Sequence, residues 1–380
     1  MPDKEELELN SKITKDSPDT QENGLTLRAE TTNDYYPSRK EMNIFEKVMD
    51  SMGKKRKVRP ESIKPNHVAR TDGFDVDKTI ADLDDLVAKD PEDDQKDALR
   101  SRLLSVSDLT EKVYDRFGEN PNSIKNWLPQ LSKAVDSTET FFKIPSTTVL
   151  RLPIELAQFI RVEYNETSRK DRALFNSYIF NKLKLEMGKT YFIKTGTFSS
   201  KFQFANAKCS EPDEMGEYFQ VINNFAMTVG AGQSIDVCAR EYIEDPENNP
   251  TIYNGMPLRT EFRTFVDFDT NKLIGTVPYW HPIVMKMALK MGLSDSMEQD
   301  YQTYLSEEDR LLREFNEHQG ELNREIQKLI PEIDLKGQYS LDIMKSGDDF
   351  YLIDMALMSE SALSELLPQY LYTSNQTLLN

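Results

Sequence analysis

The sequence predicts an α+β protein in which a polar tail and a helical region precede a domain of alternating strands and helices. Three observations predict it. Runs with period-two alternation recur between about residues 150 and 365, as strands require. Stretches with apolar residues three and four apart lie before and between them, as amphipathic helices require. Stop signals such as Gly188 and Pro331 fall at the ends of the helical stretches. With 380 residues, 38% of them hydrophobic, the chain has enough apolar mass for one large or two medium domains.

The elements follow in order. Residues 1–75 read as a largely disordered acidic tail with one short helix around Ile44, Phe45 and Val48. Within it, Gly53–Glu61 (GKKRKVRPE), with its basic run at 54–59, is the kind of cluster that nuclear-import grooves bind and that any solvated tail also carries. Residues 76–150 read as a helical accessory region: Ile80, Leu83 and Leu86 set the period, and Leu103, Leu104, Val106, Leu109, Val113 and Phe117 continue it beyond DPEDDQ (90–95). Asp72, Asp75 and Asp77 lack the turn glycine and closing glutamate of a calcium loop. The domain at 151–365 opens with a helix over 168–187, stopped by Gly188. Strands are expected at Thr190–Lys194, Val237–Ile243, Leu258–Asp267 and Leu273–Tyr279. A helix over 306–330 starts from a capping box at Ser306 and Asp309 and ends at Pro331. Tyr339–Met344 and Phe350–Met355 form a last hairpin, and 366–380 is a C-terminal tail.

Composition narrows the function. Sixty-five acids against 47 bases leave a net charge of −18, so nucleic acid is a poor partner and a small or peptidic substrate a better one. Cys209 and Cys238 with three scattered histidines form no zinc or disulfide pattern. The first thirty residues lack a signal-peptide pattern and no stretch has eighteen consecutive apolar residues, which points to a cytoplasmic protein without a membrane segment.

Three constellations carry chemistry. In SLDIMKSGDDFYLIDMALM (340–358), a hairpin turning at Gly347, Asp348 and Asp349 sets Asp342 across from Asp354 on one face. Opposed carboxylates destabilise a sheet unless a positive charge lies between them: either a divalent cation such as magnesium, or Lys345 or an arginine. If a metal is the answer, removing one acid relieves repulsion in the metal-free sheet and leaves the fold intact. In MPLRTEFRTFVDFD (256–269), Arg259, Glu261 and Arg263 share a face that either lines a phosphate-binding cleft or points to water. In FIKTGTFSSKF (192–202), Lys194 ends a strand before a Gly/Ser loop carrying Lys201, either a phosphate cradle or a plain turn. TVGAGQS (228–234) has two glycines but no lysine after them.

Taken in order, the strand-end lysine with its loop, REYI, EFRTFVDFDTNKLIG and YSLDIMK…FYLIDMAL resemble the ATP-grasp superfamily, and within it the divergent branch that includes the eukaryotic cell-division-cycle ATP-grasp assembly chaperone of the translation initiation factor. The resemblance spans about residues 150–365. It implies ATP between two α+β subdomains, with Lys194 and Arg263 as catalytic and phosphate-binding residues, Lys201 in a loop over the phosphates, and Arg259 near them. It implies a hinge strand of Glu241, Tyr242 and Ile243 holding adenine, and magnesium on Asp342 and Asp354. The chain departs from the pattern after Asp354, where Met355 and Ala356 replace the usual asparagine two residues on, leaving Ser359 or Glu360 as substitute ligands. The activity implied is carboxylate-amine ligation through an acylphosphate; the alternative is a nucleotide-dependent assembly protein that clamps a protein partner.

Overall fold

The computed structural model describes residues 38–57, 111–157, 167–229, 231–290 and 297–371. Its helices are α1 (Arg39–Lys57), α2 (Glu111–Gly118), α3 (Ile124–Ser137), α4 (Ile154–Ala157), α5 (Arg169–Leu183), α6 (Met215–Thr228), α7 (Pro282–Lys290) and α8 (Met297–Leu329). Its strands are β1 (Phe142–Lys143), β2 (Thr147–Arg151), β3 (Tyr191–Thr195), β4 (Lys208–Cys209), β5 (Asp236–Glu241), β6 (Thr251–Ile252), β7 (Met256–Pro257), β8 (Glu261–Asp267), β9 (Lys272–Pro278), β10 (Gln338–Ser346) and β11 (Asp349–Leu357). The helical periodicity at 76–110, the aspartates Asp72, Asp75 and Asp77, and residues 58–61 of the basic cluster lie outside the described residues.

Two sheets form two lobes. The first is four-stranded, β2-β5-β3-β4, and its inner side chains Ile193, Val237 and Ala239 pack against Phe175 and Ile179 of α5 and Phe219 and Ile222 of α6. The second is five-stranded, β1-β11-β10-β8-β9, and Phe262, Leu341, Ile343 and Leu352 pack against Phe315, Leu322 and Ile326 of α8. The residues at 142–151, which the sequence groups with the helical region, are instead strands of both sheets: β1 runs parallel to β11 and β2 antiparallel to β5. Their alternation is too short to outweigh the helical pattern before it.

Helix α3 joins the lobes. Ile124, Trp127 and Leu131 belong to the second lobe's core, which extends through them to Cys238 on β5 of the first. The start of α3 is anchored by Asp236, fully buried, which accepts from the Ser123 hydroxyl and takes Arg151 in a two-pronged ion pair (2.8 and 3.0 Å). A carboxylate beside a helix N-terminus is favoured by the helix dipole.

Boundaries depart from sequence expectation for local reasons. Helix α1 is capped by Ser38 and Glu41 in a reciprocal box and extends well beyond the short helix expected there; its Phe45 is buried, and its Val48 is buried with Phe265, Val277, Leu363 and Leu366. Helix α5 stops at Lys184, which adopts φ 52°, four residues before Gly188. Helix α8 begins nine residues before Ser306, whose hydroxyl donates to the Thr303 carbonyl within the helix. Leu366 and Leu367, at the start of the expected C-terminal tail, are buried.

Because α3 is shared, Trp127→Ala is expected to destabilise both lobes in one transition, by about 3–5 kcal/mol, the scale for truncating a large buried aromatic. Urea unfolding followed by circular dichroism checks this; two separate transitions would show that the lobes unfold independently.

Candidate functional site

The site lies where the two sheets approach each other. On β3, Lys194 pairs in register with Cys238 of β5 and is 1% exposed. Its ammonium crosses to the second lobe and donates to Asp354 of β11 (Nζ to Oδ1, 2.7 Å). On the second sheet, Arg263 of β8 stands opposite Asp342 of β10 and holds its carboxylate with two hydrogen bonds of 2.8 and 2.7 Å. Asp342 in turn stands opposite Asp354, so the three form a row across adjacent strands. Next along the same face of β8, Glu261 accepts from Lys201 at 3.1 Å.

The register of the β10/β11 hairpin explains how Asp354 reaches this face. Near the turn Ser346 pairs with Asp349 and Ile343 with Leu352, around a two-residue loop of Gly347 and Asp348. Had that register continued, Asp354 would oppose Leu341 and face the core. A bulge beyond Ile343 inserts Ile353, so that Leu352 and Met355 are both in the core while Asp354 turns to the site. The extra residue expected in the turn sits in the strand instead. Asp342 and Asp354 are opposed as the sequence predicts.

Their repulsion is answered within the chain. Lys194, Arg263 and Lys201 each neutralise one of Asp354, Asp342 and Glu261. Lys345, the neutralising residue suggested by proximity, instead pairs with Glu247. Burial works to raise the Asp354 carboxyl, and the Lys194 ammonium more than offsets it, holding the group below the usual carboxylate range. Burial opposes the charge on Lys201, yet the Glu261 carboxylate, with the Tyr279 hydroxyl and Asp342, raises its pKa overall. The centre of the Tyr279 ring lies 3.7 Å from the Lys201 ammonium and 4.7 Å from the Arg263 guanidinium, so one aromatic ring contacts both cations.

The loop after Lys194 is a tight turn. Its amides are used internally: Gly196 donates to the Asp236 carbonyl and the Ser234 hydroxyl, and Phe198 to the Thr195 hydroxyl. A Cβ at Gly196 would meet Ser123, Ser234 and Asp236 within 2.6–2.9 Å, so this glycine serves close packing and its amide is not free to cradle an anion. The Ser200 hydroxyl, further along, is buried without a hydrogen-bond partner.

The hinge residues are placed apart from this centre. Glu241 is on the opposite face of β5 from Lys194 in period-two order and pairs with Lys189 near the surface (3.0 Å). The Tyr242 amide donates to the Thr190 carbonyl, and the Ile243 carbonyl accepts from Arg259 (2.7 Å), which also contacts Asp245 at 3.4 Å. Arg259 therefore braces the segment joining the lobes. Glu360 accepts from the Asn122 amide at 2.6 Å, and Ala356 has no metal-binding atom on its side chain. Among the described residues no three acidic, histidine or cysteine side chains are grouped to hold a metal. Two carboxylates are nonetheless the number magnesium takes when phosphate oxygens complete its shell, and three cations beside them suit a phosphate chain, so the residues present fit magnesium nucleotide.

No family model matches the chain, and no curated protein matches it. Solved structures similar to it include Cdc123 from Schizosaccharomyces pombe (14% identical over 67% of this chain and 92% of that one, TM-score 0.40). A RimK domain protein ATP-grasp from Sphaerobacter thermophilus is similar at 14% identity over 71% and 73% of the two chains, TM-score 0.32. D-alanine-D-alanine ligase from Bacillus anthracis, complexed with ATP, is similar at 11% over 65% and 57%, TM-score 0.29. At these TM-scores none of the likenesses bears on what any residue does. Two lobes, each a sheet backed by helices, are the two α+β subdomains that the resemblance to ATP-grasp proteins in the sequence implies.

The ion pairs correct one expectation. Asp354→Asn should not relieve the fold but weaken it, because it strips the counter-ion from a buried lysine; the expected loss is roughly 1.5–3 kcal/mol in urea unfolding. Adding Lys194→Met should return most of it, and a single variant as stable as the parent would refute the pairing. Because the folded pKa of Asp354 is depressed, its contribution is present above the unfolded value, about 3.9, and is lost as pH falls through the folded one. The acid limb of the stability profile below about pH 4 should therefore be shallower in Asp354→Asn.

Proposed function

We propose that the chain binds ATP with magnesium between its two lobes and acts as an ATP-dependent carboxylate-amine ligase through an acylphosphate. The observation that supports this is the meeting of Lys194, Lys201 and Arg263 with Asp342 and Asp354 where the sheets approach. In this reading Asp342 and Asp354 would hold the metal, which when bound would neutralise phosphate charge, and Arg263 and Lys194, now paired with those carboxylates, would be the cations nearest the phosphate chain. Positioned cations of this kind stabilise charge developing during phosphoryl transfer, and the substrate carboxylate is itself the nucleophile, so no protein nucleophile is required.

A second reading, a nucleotide-dependent assembly protein acting on a protein partner, is favoured by one observation, the stretch after Asp354: Met355 is buried in the core, Ala356 follows it, and Glu360 is engaged with Asn122, so no further metal ligand follows Asp354 there. Binding without turnover needs no more. No helix among the described residues is long and apolar enough to cross a membrane.

Calorimetric titration of ATP in the presence of magnesium, and again with EDTA, tests both. Micromolar binding that depends on the metal is expected, and Lys194→Ala should weaken it by roughly 1.5–3 kcal/mol, the scale of a charge-assisted contact. Release of ADP on adding a carboxylate and an amine would select the ligase; tight binding without turnover, with one co-purifying protein, would select the assembly role. Absence of binding under both conditions would overturn both.

A further inference from the structure

The charged centre is balanced, with three cations on three carboxylates. Arg240 stands outside that balance. On β5 it pairs in register with Thr147 of β2 and Phe192 of β3, two residues from Cys238, which places it on the face of the first sheet that carries Lys194. It is 5% exposed. Its guanidinium makes one long hydrogen bond, Nε to the Thr147 hydroxyl at 3.4 Å, and among the described residues no carboxylate lies within ion-pair distance of it. The contrast with the other arginines is plain: Arg151, Arg259, Arg263 and Arg310 each hold an acid.

A guanidinium keeps its charge in proteins, and burying one without a counter-ion is costly. Arg240 lies on the same sheet face as Lys194, next to the segment that joins the lobes, and the acids on the second sheet are already taken up by other cations. Binding an anion at a neutral cluster requires breaking an internal ion pair, whereas binding at Arg240 does not. We propose that Arg240 is an anion-binding residue that supplies the net positive charge holding a phosphoryl oxyanion between the lobes, with Lys194 and Arg263 serving first as counter-ions to Asp354 and Asp342. The identity of the anion as a nucleotide phosphate rests on the function proposed above; the existence of the anion site does not.

The test is calorimetric titration of inorganic tripolyphosphate, and separately of ATP, each with magnesium, into the full chain and its Arg240→Met and Arg240→Lys variants. Arg240→Met is expected to lose at least about tenfold in affinity for both ligands, the scale of one charge-assisted contact, and Arg240→Lys to retain part of it. In anion-free buffer the melting temperature of Arg240→Met should equal or exceed that of the parent, because an apolar side chain replaces a desolvated, unpaired charge. Affinities within about twofold of the parent in Arg240→Met would overturn the inference while leaving the nucleotide reading in place. A lower anion-free melting temperature in Arg240→Met would likewise overturn it, by making the residue structural. A parent that binds tripolyphosphate but not ATP, with the loss in Arg240→Met, would sustain the anion site and overturn the nucleotide reading. A parent that binds neither would overturn both.

Discussion

The contact on which the approach of the two lobes depends is the ion pair from Lys194 to Asp354, a single strand-borne ammonium reaching from one sheet to the other. The two facing surfaces are opposite in sign. The first sheet presents Lys194 and Arg240, while the second presents Glu261, Asp342 and Asp354 around Arg263. Such surfaces attract across a region from which water is largely excluded, where Coulomb forces are stronger than in bulk solvent. Shape assists charge, since α3 fills one end of the space between the sheets with Ile124, Trp127 and Leu131.

The second constraint is the bulge at Ile353. Alternation in β11 reads Phe350 in, Leu352 in, and would put Asp354 in as well, beneath α8 with Phe315 and Leu322. A lone carboxylate there would have no partner and a large desolvation cost. One inserted residue removes that conflict and assembles the row Arg263, Asp342, Asp354. The local rule is broken at the place where the charged residues gather, as is common near functional sites.

Much of this was legible in the sequence, and the part that was not has a physical reason. The gathering of Lys194, Lys201 and Arg263 was implied only by the resemblance to ATP-grasp proteins, whereas the strands of both hairpins and the facing of Asp342 and Asp354 follow from period-two patterns. The partners of the carboxylates did not, because Lys194 and Asp354 are 160 residues apart and only tertiary packing joins them. The hinge expectation placed the Glu241 side chain by motif alone; the parity of β5 sends that carboxylate to the face opposite Lys194 and brings its neighbour Arg240 to the site. Helix α6 was missed because its stretch MGEYFQVINNFAMT mixes apolar residues and asparagines without a clean stripe, and its packing on α5 and β3 decides it. Tyr279, which contacts both Lys201 and Arg263, carried no motif at all.

A centre whose charges are already paired constrains how any ligand enters it. A metal ion arriving alone at Asp342 and Asp354 would leave Lys194 and Arg263 buried and unpaired. A phosphate arriving alone at Lys194 and Arg263 would leave two opposed carboxylates facing each other. Each arrival is costly singly, whereas together they exchange internal ion pairs for metal-carboxylate and phosphate-cation contacts without stranding a charge. In the reading proposed above such coupling would be reciprocal, so metal would raise nucleotide affinity by the same factor by which nucleotide would raise metal affinity. The paired charges that hold the ligand-free lobes together would in this way also discriminate against either half of the ligand bound by itself.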